Sequence, residues 1–468
     1  MLTASAFAQT SAPATQASAV LVDRVRPSLV AVQFTYEGEL GRRDYVATGV
    51  VVRNDGLTIV PVDFVPRQLP DEQMSGFKLV IPGDDETEIE AIFLGRDERY
   101  QLAFFIPKAP SDKHVFMPIQ FTAKTVAVGE DVFSVGLLPE AAGYQAYQIQ
   151  SRVAAKLRGP LPQVLVDGGG LAVVGSPVFD SAGNAIGLVN DQPERVLILN
   201  DRPVRVGDRS LLLNDPQNPF AAIDAPPRLF TPASDFMSAI QTPPTAEKPV
   251  RLPFSGLASL TGLTKDVAEF YGLKGKVAVQ VGEVIPGFAA DNAGLKKGFI
   301  ITTLNDKPLE RGDLPDESPL IFTRKLTRMS VGDVVTLGVI TEAGQEPKPI
   351  TLKLGERPAG ANKAARYYAD DLGFTTRGVV FEDTYARKLT PETPGVIVTF
   401  VRPQSAAQAA QLAGNDFVQQ INQTPITSVE QFKTEYLKFR KDKPREAVVL
   451  EVLRQGNTQI IRMESPRE

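Results

Sequence analysis

Gly49–Val65 reads GVVVRNDGLTIVPVDFV, and its reading decides the fold class. The run Val50–Arg53 leads into Asn54-Asp55-Gly56, and a second apolar run follows. Asn, Asp and Gly tolerate the positive φ of tight hairpin turns, so the stretch reads strand, turn, strand. Working outward, Leu29–Thr35 (LVAVQFT) alternates in the same manner. Further short β-type runs lie at Phe77–Ile81, Glu88–Leu94, Leu102–Ile106, Val132–Val135, Tyr147–Val153, Val164–Val166 and Ala185–Asn190. Strands at this spacing, with few helical stretches, predict an all-β barrel or sandwich. Ser234–Ile240 predicts a short helix, and Gln241–Arg251 (QTPPTAEKPVR) is a Pro-rich linker.

Composition narrows the chemistry. At 468 residues the length suggests about three domains. Gly 37 and Pro 37 favour turn-rich β structure over a helical bundle. Lys+Arg 50 against Asp+Glu 55 leaves a net charge of −5, so a nucleic-acid partner has no electrostatic support. The sequence contains no uninterrupted apolar stretch of about 18 residues that would predict a transmembrane segment. Cysteine is absent, which excludes disulfides, thiolate nucleophiles, Fe–S clusters and Cys–zinc sites. The one histidine, His114, excludes a multi-His metal site and is the base available to any His-dependent mechanism. No metal and no cofactor is expected.

Two later segments, 252–356 and 367–468, repeat one pattern. Each opens with an apolar-Gly-apolar turn and a strand, then V-x-P before an Ala-rich short helix. Val284-Ile285-Pro286-Gly287-Phe288-Ala289-Ala290 aligns with Val401-Arg402-Pro403-Gln404-Ser405-Ala406-Ala407. A strand ending in Asn follows in both, at Ile300–Asn305 and Phe417–Asn422. Repetition at about 110 residues implies two copies of one small domain. Arg357–Ala365 links them. Thr427-Ser428-Val429-Glu430 is a capping-box signature ahead of a helix with Val429, Phe432 and Tyr436 on its apolar face.

The two repeats resemble PDZ domains as arranged in the HtrA/DegP-like family of periplasmic proteases. Leu263–Leu273 and Pro286–Gly298 carry the likeness in the first; Phe299 stands where the family prefers Asp. Leu372-Gly373-Phe374 carries it in the second, where Gln411 and Asn415 replace glycines. Resemblance then implies peptide binding at Phe254, Ser255, Gly256, Leu257 and at Leu372, Gly373, Phe374. Successive N–H groups at such a turn hold a terminal carboxylate, and the peptide adds as an edge strand. The second loop is the closer match, with Arg366 and Arg377 nearby in sequence to favour a carboxylate. The alternative is that one loop is filled by a neighbouring domain and only organises architecture.

Residues 20–240 resemble the chymotrypsin-like domain of the same family, through Gly49–Val65, Gly95–Ile106, Gly129–Leu137 and Val173–Asn190. The implied architecture is mainly β: a chymotrypsin-like double β-barrel over 19–243, then two α+β PDZ domains over 252–356 and 367–468. A serine hydrolase needs a nucleophile, a His base and an orienting carboxylate. Asp63 stands at the family's His position, Gln101 at its Asp position and Val174 at its Ser position. All three are replaced. Ser176 with His114 offers a displaced pair; the simpler reading makes one a turn residue and the other a surface histidine. Asp63 and Gln101 facing each other as a structural relic is left open.

Ala6-Phe7-Ala8 before Gln9 has the A-x-A form of a signal-peptidase site, so 1–18 reads as the remnant of an export signal or as a disordered terminus. Asp84-Asp85-Glu86 reads as a solvated hairpin turn, Lys438–Arg445 as a charged loop, and Gly168-Gly169-Gly170 as a flexible approach to the site, without phosphate-loop context. The expectation is a proteolytically inactive, extracytoplasmic scaffold, adaptor or chaperone-like holder that binds peptides or protein C-termini. Resemblance alone adds a trimer-based homo-oligomer or a mixed assembly with an active relative. The rivals are an active serine endopeptidase of protein quality control and a structural subunit of a larger envelope assembly.

Overall fold

The computed structural model describes residues 21–39, 41–65, 69–83, 87–110, 114–190, 195–199, 202–206, 226–245, 247–314, 317–390 and 392–464. The proposed export remnant and the acidic turn 84–86 lie outside these residues. The protein is mainly β. β1 (Leu29–Gly38), β2 (Gly41–Val51), β3 (Thr58–Pro61), β4 (Met74–Ile81), β5 (Thr87–Asp97) and β6 (Leu102–Pro107) close one barrel in the order β1-β2-β3-β6-β5-β4. A second closes in the order β10-β11-β14-β9-β8-β7, from β7 (Asp131–Leu137), β8 (Ala146–Arg158), β9 (Pro162–Gly168), β10 (Pro177–Asp180), β11 (Ala185–Val189) and β14 (Leu229–Pro232). β12 (Arg195–Leu199) and β13 (Arg202–Val206) form a separate hairpin. Closure removes the exposed edges that a sandwich of this size would have to protect.

Local sequence sets these elements. Gly56 adopts φ +83° in the turn between β2 and β3, where a Cβ would fall 2.6 Å from Pro107. Asp55 accepts the Leu57 N–H at 3.2 Å, an Asx turn that starts β3. Val50, Ile59 and Phe104 from the first barrel join Val135, Phe179 and Leu188 from the second in one continuous core. α1 (Ala233–Gln241) follows β14, as the 234–240 pattern predicts, and buries Phe236 against Phe121.

In the first repeat, β15 (Pro253–Phe254) pairs with β24 (Gly355–Glu356), and β16 (Leu257–Ala258) with β19 (Glu283–Val284). The main sheet runs β17-β18-β20-β22-β23: Thr261–Gly262, Val279–Gln280, Ile300–Leu304, Val334–Ile340 and Lys348–Lys353. β21 (Lys307–Pro308) pairs with β20. Three helices accompany it: α2 (Lys265–Phe270), α3 (Ala289–Asn292) and α4 (Glu317–Thr327). Asp235 of α1, nearly buried, accepts from Arg324 of α4 at 2.6 Å and from Arg328, just past the end of α4, at 2.7 Å. Arg328 also reaches the Arg99 carbonyl at 3.3 Å and lies over Tyr100.

The second repeat belongs to a separate compact unit, with Thr35–Asp44 and residues 69–75; the rest of the barrels and the first repeat make up the other. Its sheet runs β25-β26-β27-β28-β30-β31: Arg366–Ala369, Phe374–Gly378, Val396–Val401, Phe417–Ile421, Val448–Arg454 and Asn457–Met463. β29 (Thr424–Pro425) pairs with β28. α5 (Phe381–Ala386), α6 (Ala406–Ala409) and α7 (Val429–Asp442) complete it. α7 buries Val429, Phe432 and Tyr436, as its periodicity predicts. Its cap lies one residue later than the Thr427–Glu430 reading: Ser428 Oγ accepts from the Gln431 N–H, and Gln431 Oε1 accepts from the Thr427 N–H. Gln at the third helical position reaches back where Glu430 cannot.

Asp383 of α5 is buried and accepts two bonds from Arg377, at 2.5 and 2.8 Å, and the Val380 N–H at 2.9 Å. Burial pushes its carboxyl up, but the bonds and charge of Arg377, with the Val380 N–H and Arg387, outweigh that and hold it below its usual value. A carboxyl depressed in the fold stabilises fully above its unfolded pKa, and that stabilisation is lost as pH falls through the folded value. Urea unfolding of the second unit should therefore weaken from about pH 4 downward. Asp383→Asn should remove this part of the pH dependence and cost about 3 kcal/mol at neutral pH, since Arg377 is left buried without its partner.

Candidate active site and peptide grooves

Three turns converge where the barrels meet. β3 ends at Pro61 and passes into the single 3₁₀ turn Val62–Phe64, which holds Asp63 half-buried between two buried apolar neighbours. The Val62 N–H donates to the Gln101 carbonyl at 3.0 Å, so the Asp63 and Gln101 turns lie side by side. Gln101 adopts φ +57°, and its amide donates to the Glu98 carbonyl at 2.6 Å, within its own turn. That turn is pinned by buried Asp97, which accepts from Arg99 Nη2 at 2.7 Å and from the Arg99 N–H at 3.1 Å.

The third turn, Leu171–Ser176, lies between β9 and β10. Val174 is 3% exposed and Ser176 fully buried. Gly175 adopts φ +92°, and a Cβ there would fall 2.3 Å from the Thr48 carbonyl oxygen and 3.4 Å from Pro61. Only glycine lets the loop approach β2 and β3 this closely. Around it the backbone is tied down: Ala172 N–H to Ser134 Oγ at 2.7 Å, Val173 N–H to the Tyr147 hydroxyl at 2.9 Å, Gly175 N–H to the Val189 carbonyl at 2.8 Å. Ser134 and Tyr147 carry no signal in the sequence, because their partner loop is remote along the chain. Burial, opposed in part by the bond from Val173, pushes the Tyr147 hydroxyl up to about 12.

The fold does not bring Ser176 and His114 together. His114 lies edge-on to Phe116, which packs at the Gly56 turn, the start of β3. Ser176 adjoins Gly175, which packs at Pro61, the end of β3. Burial lowers the His114 pKa, and its Nε2 is buried without a hydrogen-bond partner. Ser176 Oγ is likewise buried and unpartnered.

The two apolar-Gly-apolar loops share one framework. The Ser255 and Leu372 carbonyls accept from Ala290 and Ala407 at 2.8 and 3.0 Å, and the Gly256 and Gly373 carbonyls accept from Ile285 and Arg402, both at 2.8 Å. Gly256 and Gly373 adopt φ +79° and +75°, with Phe288 and Ser405 packed where a Cβ would stand. Phe254 stacks edge-on with Phe288, and the Leu257 N–H donates to Ser255 Oγ at 3.2 Å. Beyond the first loop, β17 ends its sheet and borders a cavity of about 210 Å³ lined by Gly262, Leu263, Val277, Ala278, Gly312 and Ser318. Beyond the second loop, β25 lies along β26, and Phe374 packs on Phe432 and Tyr436. Arg377 is engaged by Asp383, and it pairs with Arg366 at the far end of β26 from the loop, so neither arginine attends the loop. The arginine beside Gly373 is Arg402.

Residues 378–464 match the PDZ domain family. Among curated proteins, a probable periplasmic serine endoprotease DegP-like from Chlamydia pneumoniae is 23% identical over 42% of this chain and 36% of its own length. One from Bartonella henselae is 28% identical over 41% of this chain and 36% of its own length. The HtrA-type protease AlgW with tripeptide superposes at a TM-score of 0.52, with 17% identity, over 73% of this chain and 98% of that one. The chain is HtrA/DegP-like. The sequence matches span under half the length of these curated relatives, which are named serine endoproteases.

In this HtrA/DegP-like fold the position between Ala172 and Ser176 depends on one close approach. Gly175→Ala should lower unfolding stability by about 3 kcal/mol, combining a left-handed alanine with a clash against Thr48 backbone. Chemical denaturation checks this, and Ala182→Gly on the surface is a neutral control.

Proposed function

We propose that this chain is a proteolytically inactive, HtrA-like peptide-binding protein of the cell envelope, acting as scaffold, adaptor or chaperone-like holder through its PDZ domains. The observation that carries the reading is the composition of the converged turns: Asp63, Gln101 and Val174 stand where base, orienter and nucleophile belong. Valine has no atom to attack a carbonyl, and a carboxylate in place of His leaves no imidazole to relay a proton. An oxyanion hole in this fold class uses the N–H of the nucleophile and of the residue two before it. Here the second of these, from Ala172, is spent on Ser134 Oγ.

Binding at the Phe254–Leu257 loop fits the edge of β17, which has no pairing strand among the described residues, and its neighbouring cavity. A peptide adding there gains main-chain hydrogen bonds, and its end group meets the turn. Residence in the periplasm follows from likeness to relatives named as periplasmic endoproteases, and assembly as a trimer-based homo-oligomer or with an active relative, on family resemblance alone, completes the proposal.

Casein should remain uncut and a fluorophosphonate serine probe should leave the protein unlabelled. Val174→Ser alone should change neither result, because no histidine stands in reach. Labelling of Ser176 that vanishes in Ser176→Ala would overturn the inactive reading. Peptides with free apolar C-termini should bind at roughly micromolar affinity, and amidation of the C-terminus should weaken them at least tenfold. Titration by fluorescence anisotropy reads both numbers; equal affinity for free and amidated ends would favour a purely architectural role for the PDZ pair.

A further inference from the structure

The two repeats differ at one edge. In the first, the strand before the loop, β15, pairs with β24 at the end of the domain. In the second, the strand before the loop, β25, folds back onto β26 instead. Its register is Arg366 with Arg377, Tyr367 with Thr376, Tyr368 with Thr375 and Ala369 with Phe374. This strand is antiparallel to β26, and its C-terminal end lies at the Leu372-Gly373-Phe374 turn. That is the polarity of a peptide whose C-terminus enters such a turn.

The contacts continue the likeness. The Gly373 N–H donates to the Ala369 carbonyl at 2.7 Å, so the turn's donor is satisfied from within the chain. The next residue, Asp370, supplies a carboxylate to Arg402 at 3.1 Å, and its carbonyl accepts from Arg402 at 2.9 Å. Tyr368 adds its hydroxyl to the same guanidinium at 3.0 Å. On the other side Tyr367 packs between sheet and helix, with ring centroids 6.2 Å from Phe432 and 5.8 Å from Tyr436 of α7. Lys433 Nζ lies 5.9 Å from the Tyr367 ring centroid. Strand pairing, a side chain against the helix, a carbonyl on the turn and a carboxylate on a neighbouring arginine are contacts of the kind an added peptide would make.

We propose that Arg366–Ala369 is a built-in ligand of the second PDZ domain, seated in its groove, and that an external peptide enters only by displacing it. The inference rests on the peptide-binding reading and assigns the two domains unequal roles: an open first groove and a self-occupied second one. The strand is tethered through a short turn, so it competes at an effective concentration in the millimolar range. With an intrinsic affinity of about ten micromolar for the segment itself, any competing peptide is thereby weakened about a hundredfold.

The test uses the full chain and a labelled peptide of the segment's own sequence, Ala-Arg-Tyr-Tyr-Ala with a free C-terminus. One variant opens the groove: Arg366→Gly, Tyr367→Ser, Tyr368→Gly and Ala369→Ser together. It should bind the peptide about a hundredfold more tightly than the unaltered chain, with new hydrogen-exchange protection confined to Phe374–Gly378 and α7. Tyr367→Ala alone, a milder change should the first variant fold poorly, should tighten binding about tenfold. In the unaltered chain, peptide at millimolar concentration should strip exchange protection from Arg366–Ala369 while Val396–Val401 stays protected. Equal affinity for all three chains, or peptide bound to β26 with Arg366–Ala369 still protected, overturns the proposal. Binding of C-terminal peptides at the first repeat is read separately, from protection at Thr261–Gly262. Its loss would defeat the general peptide-holder reading while the result at β26 stood.

Discussion

Backbone N–H and C=O groups withdrawn from water must find partners, and in this chain that constraint determines which edges are closed and which remain available. The two barrels satisfy it by closure, so neither presents a strand edge around its circumference. The Leu171–Ser176 turn satisfies it with side chains, Ser134 Oγ accepting from the Ala172 N–H and the Tyr147 hydroxyl from the Val173 N–H. The second repeat satisfies it with its own β25. The first repeat leaves the outer edge of β17 without a pairing strand among the described residues.

The same constraint separates what holds this fold together from what its turns display. Core positions such as Val50, Ile59, Phe104 and Phe179 answer to packing, and they hold the three turns in place whatever side chains those turns display. Gly175 is needed for the close approach to Thr48 whether or not its neighbour is a nucleophile. Ser134 and Tyr147 accept from the Ala172 and Val173 N–H groups, and the apolar Val173 and Val174 side chains are buried beside them.

Charge is used locally. Asp235 joins α4 to α1 through Arg324 and Arg328, while Arg328 also touches the turn that carries Gln101. Within that unit, the helix beside the open β17 edge and the converged turns of the barrels share one buried anion. Asp383 does comparable work in the second repeat by holding Arg377, which sequence proximity alone would have assigned to the peptide's carboxylate.

Much was legible in the sequence by itself. Short-range periodicity and turn chemistry marked β1, β5, β6, α1 and α7, because alternation and capping act over a few residues. Internal repetition located both loops, since Gly256 and Gly373 meet a local need for positive φ. Asp63, Gln101 and Val174 were expected at one site, and the turns that carry them lie together at the end of β3. Tertiary structure alone decided what lies remote along the chain: barrels rather than a sandwich, Ser134 and Tyr147 on the Leu171–Ser176 turn, and His114 at the opposite end of β3 from Ser176. It also decided that β25 lies along β26 whereas β15 joins β24. Two strands with equally good local patterns differ only in which edge is within reach, and reach is a property of the folded chain.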